Sequence, residues 1–280
     1  MKIISLFLTM LIFISCTSGK EKSYTASTPA GAVVKTFLGL PLSDSVDFIR
    51  WYLILDGNDY EMQCNYGLGK ANTNGFINGG KTVQVSGIMV KEKNIFQFKN
   101  GSKILCAAIL NDDLLHLLND DNSLLVGNGG WSYTLNNLTP SVSDQVNLTP
   151  IQTILKDSMA FEGRTPCGVP GIIAPGMECY KLKWYIVLYA SAEKNESGTY
   201  KVFGTNWRKE GGKKGNWKII NGNDGRIIYQ LNDDNGKGLL YLLKLDENIL
   251  VFTDAKGNLL VGDLDFSYTL NRAPVRVLKI

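Results

Sequence analysis

Ser132-Tyr133-Thr134-Leu135-Asn136 and Ser267-Tyr268-Thr269-Leu270-Asn271 are one pentapeptide written twice, 135 residues apart. The same offset carries Leu124-Leu125-Val126-Gly127 onto Leu259-Leu260-Val261-Gly262, and Trp131 onto Phe266. Further out, Trp51-Tyr52-Leu53-Ile54-Leu55 parallels Trp184-Tyr185-Ile186-Val187-Leu188, and Phe37-Leu38-Gly39 parallels Phe161-Glu162-Gly163. The landmarks keep their order while the offset drifts from 124 to 135. Two long units mean a tandem duplication rather than a solenoid.

Each unit reads as all-β. Residues 49–55, 60–66, 82–90, 94–98, 103–110 and 114–118 are strand-like in the first unit. Residues 182–189, 199–205, 216–220, 226–231, 239–244 and 248–253 repeat them in the second. Turn material such as Asp56-Gly57-Asn58, Asn100-Gly101 and Asn111-Asp112 lies between. With a terminal strand ending in the pentapeptide, about eight strands per unit are expected, spaced as in a meander that closes into an antiparallel barrel. The domains are then 35–137 and 158–280. Their linker, 138–157, carries Pro140 and Pro150, with room for a helical turn only at 151–156.

The N-terminus reads as a secretory signal over residues 1–15. Lys2 is its positive end, and 3–14 is apolar apart from Ser5 and Thr9, too short a run to span a bilayer comfortably. It ends Phe13-Ile14-Ser15-Cys16, which resembles the lipobox of bacterial lipoproteins, with Phe13 in place of the usual leucine. That resemblance implies cleavage before Cys16 and lipidation of Cys16, so the membrane partner is reached through lipid. Residues 16–34 are small and polar and read as a tether. Thr17-Ser18 lacks a retaining aspartate, and a periplasm-facing outer-membrane location is expected.

The formal charge of +3 is spread along the chain, so nucleic acid is not an expected partner. Lys209, Lys213 and Lys214 read as a solvated loop.

A lipobox, an F-x-G-x-x-P opening, a meander and a closing aromatic-x-Tyr-Thr-Leu strand together resemble NlpE-like envelope lipoproteins. The distinctive piece is Phe161-Glu162-Gly163-Arg164-Thr165-Pro166-Cys167. The resemblance implies two tandem lipocalin-like barrels and a role in surface sensing, envelope stress or metal homeostasis. The family's first domain usually carries a Cys-x-x-Cys pair after its opening proline, where copper binding has been proposed. Aligned on Phe37, the stretch here is Leu42-Ser43-Asp44-Ser45, without thiols. A copper site is not carried over.

Cys167 and Cys179 are a candidate disulfide around an insertion. Cys64 and Cys106 lie in strands and are read as structural, either bonded or packed as small apolar groups. His116, the single histidine, stands where the repeat has Val251 and is read as a packed or edge residue rather than a ligand. Gly75-Phe76-Ile77-Asn78-Gly79-Gly80-Lys81-Thr82 matches a phosphate-loop pattern but precedes a β-like segment, where the pattern requires a helix. Asn111-Asp112-Asp113, Asp120-Asp121-Asn122 and Asn232-Asp233-Asp234-Asn235-Gly236 read as turns, since none completes a calcium loop. Recurring Trp51, Trp184, Trp131 and Phe266 are expected to pack the barrels. Trp207 and Trp217, without counterparts, are the surface or pocket candidates. Arg164, standing where the first opening has Leu40, is a candidate to bind a carboxylate or close the second barrel's mouth.

No catalytic residues, metal ligands or cofactor emerge. The expected role is a non-enzymatic envelope lipoprotein with another envelope protein as partner; the alternative is a carrier of a small apolar ligand inside a barrel.

Overall fold

Strand by strand, one side of the alternation is apolar, and each sheet closes around that side. The computed structural model describes residues 21–140, 146–147, 158–173, 176–191, 197–204, 206–208, 211–221 and 225–276. Cys16, the signal segment and the helical turn proposed at 151–156 lie outside them. The chain forms two closed eight-stranded antiparallel barrels in tandem.

Barrel one consists of β1 (Lys22–Thr28), β2 (Phe48–Asp56), β3 (Asp59–Gly67), β4 (Lys81–Glu92), β5 (Ile95–Asn100), β6 (Lys103–Asn111), β7 (Leu114–Leu117) and β8 (Thr134–Asn137). It closes where β1 pairs with β8, Tyr24 opposite Asn137. Barrel two consists of β9 (Ser158–Thr165), β10 (Leu182–Ala190), β11 (Ser197–Gly204), β12 (Lys213–Asn221), β13 (Ile227–Asn232), β14 (Gly238–Lys244), β15 (Ile249–Thr253) and β16 (Thr269–Ala273). It closes where β16 pairs with β9, Asn271 opposite Glu162.

Two boundaries drawn from sequence need correction. Residues 22–28, read as tether, are strand β1, paired with β2 along its whole length. Its Ser, Thr and Ala residues imitate a linker, but Tyr24 and Ala26 alternate into the core, and the Tyr24 hydroxyl donates to the Asp112 carbonyl at 2.9 Å. The opening of the first unit also moves. Trp51 Nε1 donates to Thr28 Oγ1 at 2.8 Å, as Trp184 Nε1 does to Thr165 Oγ1 at 2.8 Å. The counterpart of Phe161 to Cys167 is therefore Tyr24 to Ala30, not the segment from Phe37. The stretch matching the family's thiol pair becomes 30–33, also without cysteine.

A plug enters each barrel directly after its opening strand. In barrel one it is a seven-residue helix, α1 (Ala32–Leu38), which buries Val34, Phe37 and Leu38. In barrel two the Cys167–Cys179 disulfide closes a loop that buries Val169 and Ile172.

Both interiors are packed with large side chains. Tyr24, Trp51, Met62 and Phe98 fill the first; Phe161, Tyr200, Trp217, Tyr229 and Phe252 fill the second. Burying each such side chain stabilises by about 1.5–3 kcal/mol. Trp217, expected at the surface, is 1% exposed and stacks edge-on against Tyr229 at 5.4 Å. It does have a counterpart: Gly215 and Gly87 both face the preceding strand's tyrosine, which sets Trp217 in the place of Met89. Lys213 and Lys214, read as loop, lie in β12, where Lys213 pairs with Asp234.

Candidate functional site

β7 and β15 are buried on both faces, and this leads to the site. Leu115 and Leu117 point into barrel one, and Leu250 and Phe252 into barrel two. The outward residues, among them Leu110, Leu114, Leu245, Ile249 and Val251, pack together as a separate cluster between the barrels.

The contacts along this seam obey an internal two-fold. Ser132 Oγ meets its copy Ser267 Oγ at 2.6 Å, and Thr134 Oγ1 meets Thr269 Oγ1 at 2.9 Å. Trp131 stacks on Phe266 with centroids 5.1 Å apart and planes at 5°. These rings were expected inside the barrels; lying near the axis, they pack on each other instead. The crossed contacts are reciprocal. Gly262 N–H donates to Asn136 Oδ1 at 3.0 Å, and Gly127 N–H donates to Asn271 Oδ1 at 2.7 Å. Such an i-to-j and j-to-i pattern is that of an isologous dimer interface, here within one chain. Both glycines are required: a Cβ would fall 2.2 Å from the Trp131 carbonyl at Gly127 and 2.1 Å from that of Phe266 at Gly262.

The symmetry is incomplete at the two amides. Asn136 Nδ2 donates to the carbonyls of Asp263 and Phe266 at 3.1 and 3.3 Å, whereas Asn271 Nδ2 has no partner among the described residues. Asn136→Ala should therefore cost about 2–3 kcal/mol of stability and Asn271→Ala only about 1–2 kcal/mol. Urea midpoints measure both, and equal losses would contradict the assignment.

His116 also lies on the seam, fully buried. Nε2 lies 2.9 Å from the Leu125 carbonyl and Nδ1 lies 2.9 Å from Thr134 Oγ1. A carbonyl only accepts, so the proton sits on Nε2 and Nδ1 accepts from the threonine. Burial pushes the imidazole pKa down to about 4, partly opposed by the Leu125 carbonyl.

Beside the seam is a cleft of about 430 Å3 lined from both barrels. Barrel one supplies Asp47, Phe48, residues 69–73 and Trp131; barrel two supplies Arg164, Tyr180, Lys181 and Lys183. Arg164 points outward from β9 into this cleft, not into the second barrel's mouth. Its counterpart is Ser27, not Leu40, and it has no hydrogen bond or ion pair among the described residues. Lys181 Nζ lies over the rings of Tyr180 and Phe266 at 5.1 and 5.2 Å and reaches Asn74 Oδ1 at 3.3 Å. Burial, then Arg164 and Lys183, hold its pKa below the usual lysine range, with Asp265 opposing. Lys181, Lys183 and Lys70 were not singled out from sequence, where isolated lysines carry no signal.

The other candidates fall elsewhere. Trp207 is half-buried against Trp184 at 6.2 Å, and Asn206 beside it donates to the Ile172 carbonyl. It caps the plug of barrel two rather than facing a pocket. Cys64 points into barrel one, where burial pushes its thiol pKa up; Cys106 points outward, so the two do not meet. The acidic turns bind their own backbone. Asn111 Oδ1 accepts from Asp113 N–H, Asp121 Oδ1 from Ser123 N–H, and Asp233 Oδ1 from the N–H groups of Asn235 and Lys237. The glycine-rich stretch 75–82 is a loop with one 3-10 turn at Ile77–Gly79, entering β4.

No family model matches this chain, and no curated protein or solved structure matches it either.

Proposed function

We propose that this chain is an NlpE-like lipoprotein of the bacterial envelope, anchored through lipid on Cys16 and working by binding and signalling rather than catalysis. The observation that carries the reading is the apolar run ending Ser15-Cys16, followed directly by a folded barrel. Three further features support it. The Cys167–Cys179 bond suits an oxidising compartment. The packed interiors weigh against an apolar ligand carried inside a barrel and leave recognition to outer surfaces. With β1 beginning at Lys22, five residues separate Cys16 from the barrel, six backbone steps with a reach of about 20 Å. Barrel one then sits close against the membrane, which suits a sensor of envelope state. The outer membrane, with the protein facing the periplasm, is the proposed location.

Mass spectrometry of the purified protein should find Cys16 as an acylated N-terminal residue, and Cys16→Ser should leave the precursor uncleaved and unacylated. Deletion should blunt an envelope-stress reporter during surface contact. An intact Met1 in the wild-type protein would overturn the anchor, and an unchanged reporter would overturn the signalling role.

A further inference from the structure

The two sides of the seam differ in charge. Residues just before the paired tryptophans, Arg50 and Lys183, are related by the internal two-fold, as are Gly130 and Asp265 just before the stacked rings. On one side Arg50 pairs with Asp265 at 2.6 Å, and Asn74 Nδ2 adds a bond to the same carboxylate at 2.7 Å. On the other side the position of Asp265 is Gly130; the carboxylate there is that of Glu162, in the place of Thr25, and it is already paired with Arg276 at 2.6 Å. A Cβ placed at Gly130 would lie 3.6 Å from a guanidinium nitrogen of Arg164. The cleft on this side thus gathers Arg164, Lys181 and Lys70, with Asp47 as the carboxylate of its lining; Asp47 Oδ2 already accepts from Gly69 N–H at 2.6 Å, and Lys181 reaches Asn74, which also donates to Asp265.

We propose that this cleft binds the phosphate group of a small phosphorylated molecule or of a lipid headgroup. A guanidinium offers a planar fork that matches phosphate oxygens, and the neighbouring ammonium groups favour an anion of charge near two over a single carboxylate. The exposed ring of Tyr180, 64% accessible, flanks the charges and offers an apolar face to the organic part of the ligand. The site goes beyond the anchoring role and does not depend on acylation, so failure of one leaves the other standing.

The test uses full-length protein in detergent, titrated calorimetrically with inorganic phosphate, glucose 6-phosphate and unphosphorylated glucose. Binding to vesicles of phosphatidylglycerol and of phosphatidylcholine alone is measured in parallel. Two variants carry precedent within the chain: Arg164→Ser installs the residue of the equivalent position, and Gly130→Asp installs the carboxylate that closes the other side. Expected is salt-sensitive binding of glucose 6-phosphate but not glucose, weakened at least about tenfold in both variants by loss or neutralisation of a charge-assisted contact. Binding to phosphatidylglycerol vesicles alone, lost in the same variants, would assign the phosphate to a headgroup. Should Arg164→Ser fail to fold, Gly130→Asp decides by itself. No binding to any phosphate probe, or equal binding by wild type and Gly130→Asp, would overturn the proposal.

Discussion

Trp51→Ala is expected to lower the free energy of unfolding by about 3–5 kcal/mol, the range for deleting an enclosed tryptophan side chain. Trp51 is 1% exposed, and its indole ties β2 to the end of β1 through Thr28. Truncation would leave a cavity among packed neighbours, and a hydroxyl deprived of one partner. Trp51→Phe refills most of the volume and should cost less than half as much. Trp184→Ala should cost less than Trp51→Ala. Trp184 is 5% exposed, and Trp207 already leans against it, free to settle into the vacated space. Urea unfolding of the three variants gives the comparison. A loss below about 1 kcal/mol at Trp51 would show that barrel one is not closely packed.

The second large effect is a fall in stability on acidification, traced to His116. An exposed histidine in the unfolded chain titrates near 6.5, whereas the buried one holds out to about 4. Between those values the unfolded state binds a proton that the folded state refuses, so stability drops as pH falls. The contribution is complete above about pH 6.5 and lost by about pH 4, a span worth about 3 kcal/mol. Protonation would also place a donor on Nδ1, reversing the bond from Thr134 and with it the link to Thr269 across the seam. His116→Val installs the residue that the second barrel carries at Val251. It should remove this component, seen as the difference between wild-type and variant stabilities from pH 7 to 4. The same slope in both proteins would refute it.

How much of this was legible in the sequence depends on whether the signal was local. The strands from β2 to β7 and β10 to β15 announce themselves by alternation, as in β3, or by short apolar runs, as in β7 and β15, bounded by Asn, Asp and Gly. β1 does not: its Ser-Tyr-Thr-Ala-Ser-Thr becomes a strand only because β2 and β8 offer it two edges. Trp217 was misplaced because the hairpins of the two units differ in length, which hides its correspondence to Met89. The seam left a trace in Leu114-Leu115-His116-Leu117, a strand with no polar face, which is what burial on both sides requires. The cleft left none. Lys181 and Lys183 look like ordinary surface residues until the fold sets them beside Arg164 and reveals a glycine where the other side has Asp265.

A dimer of two identical chains has to write each substitution in duplicate, so an aspartate at this seam would neutralise both sides or neither. One chain holding both copies escapes that rule. Asp265 was free to pair with Arg50 on one flank while the opposite flank kept Gly130 and a different ion pair, Glu162 with Arg276, and what would have been two equal faces became a back and a front.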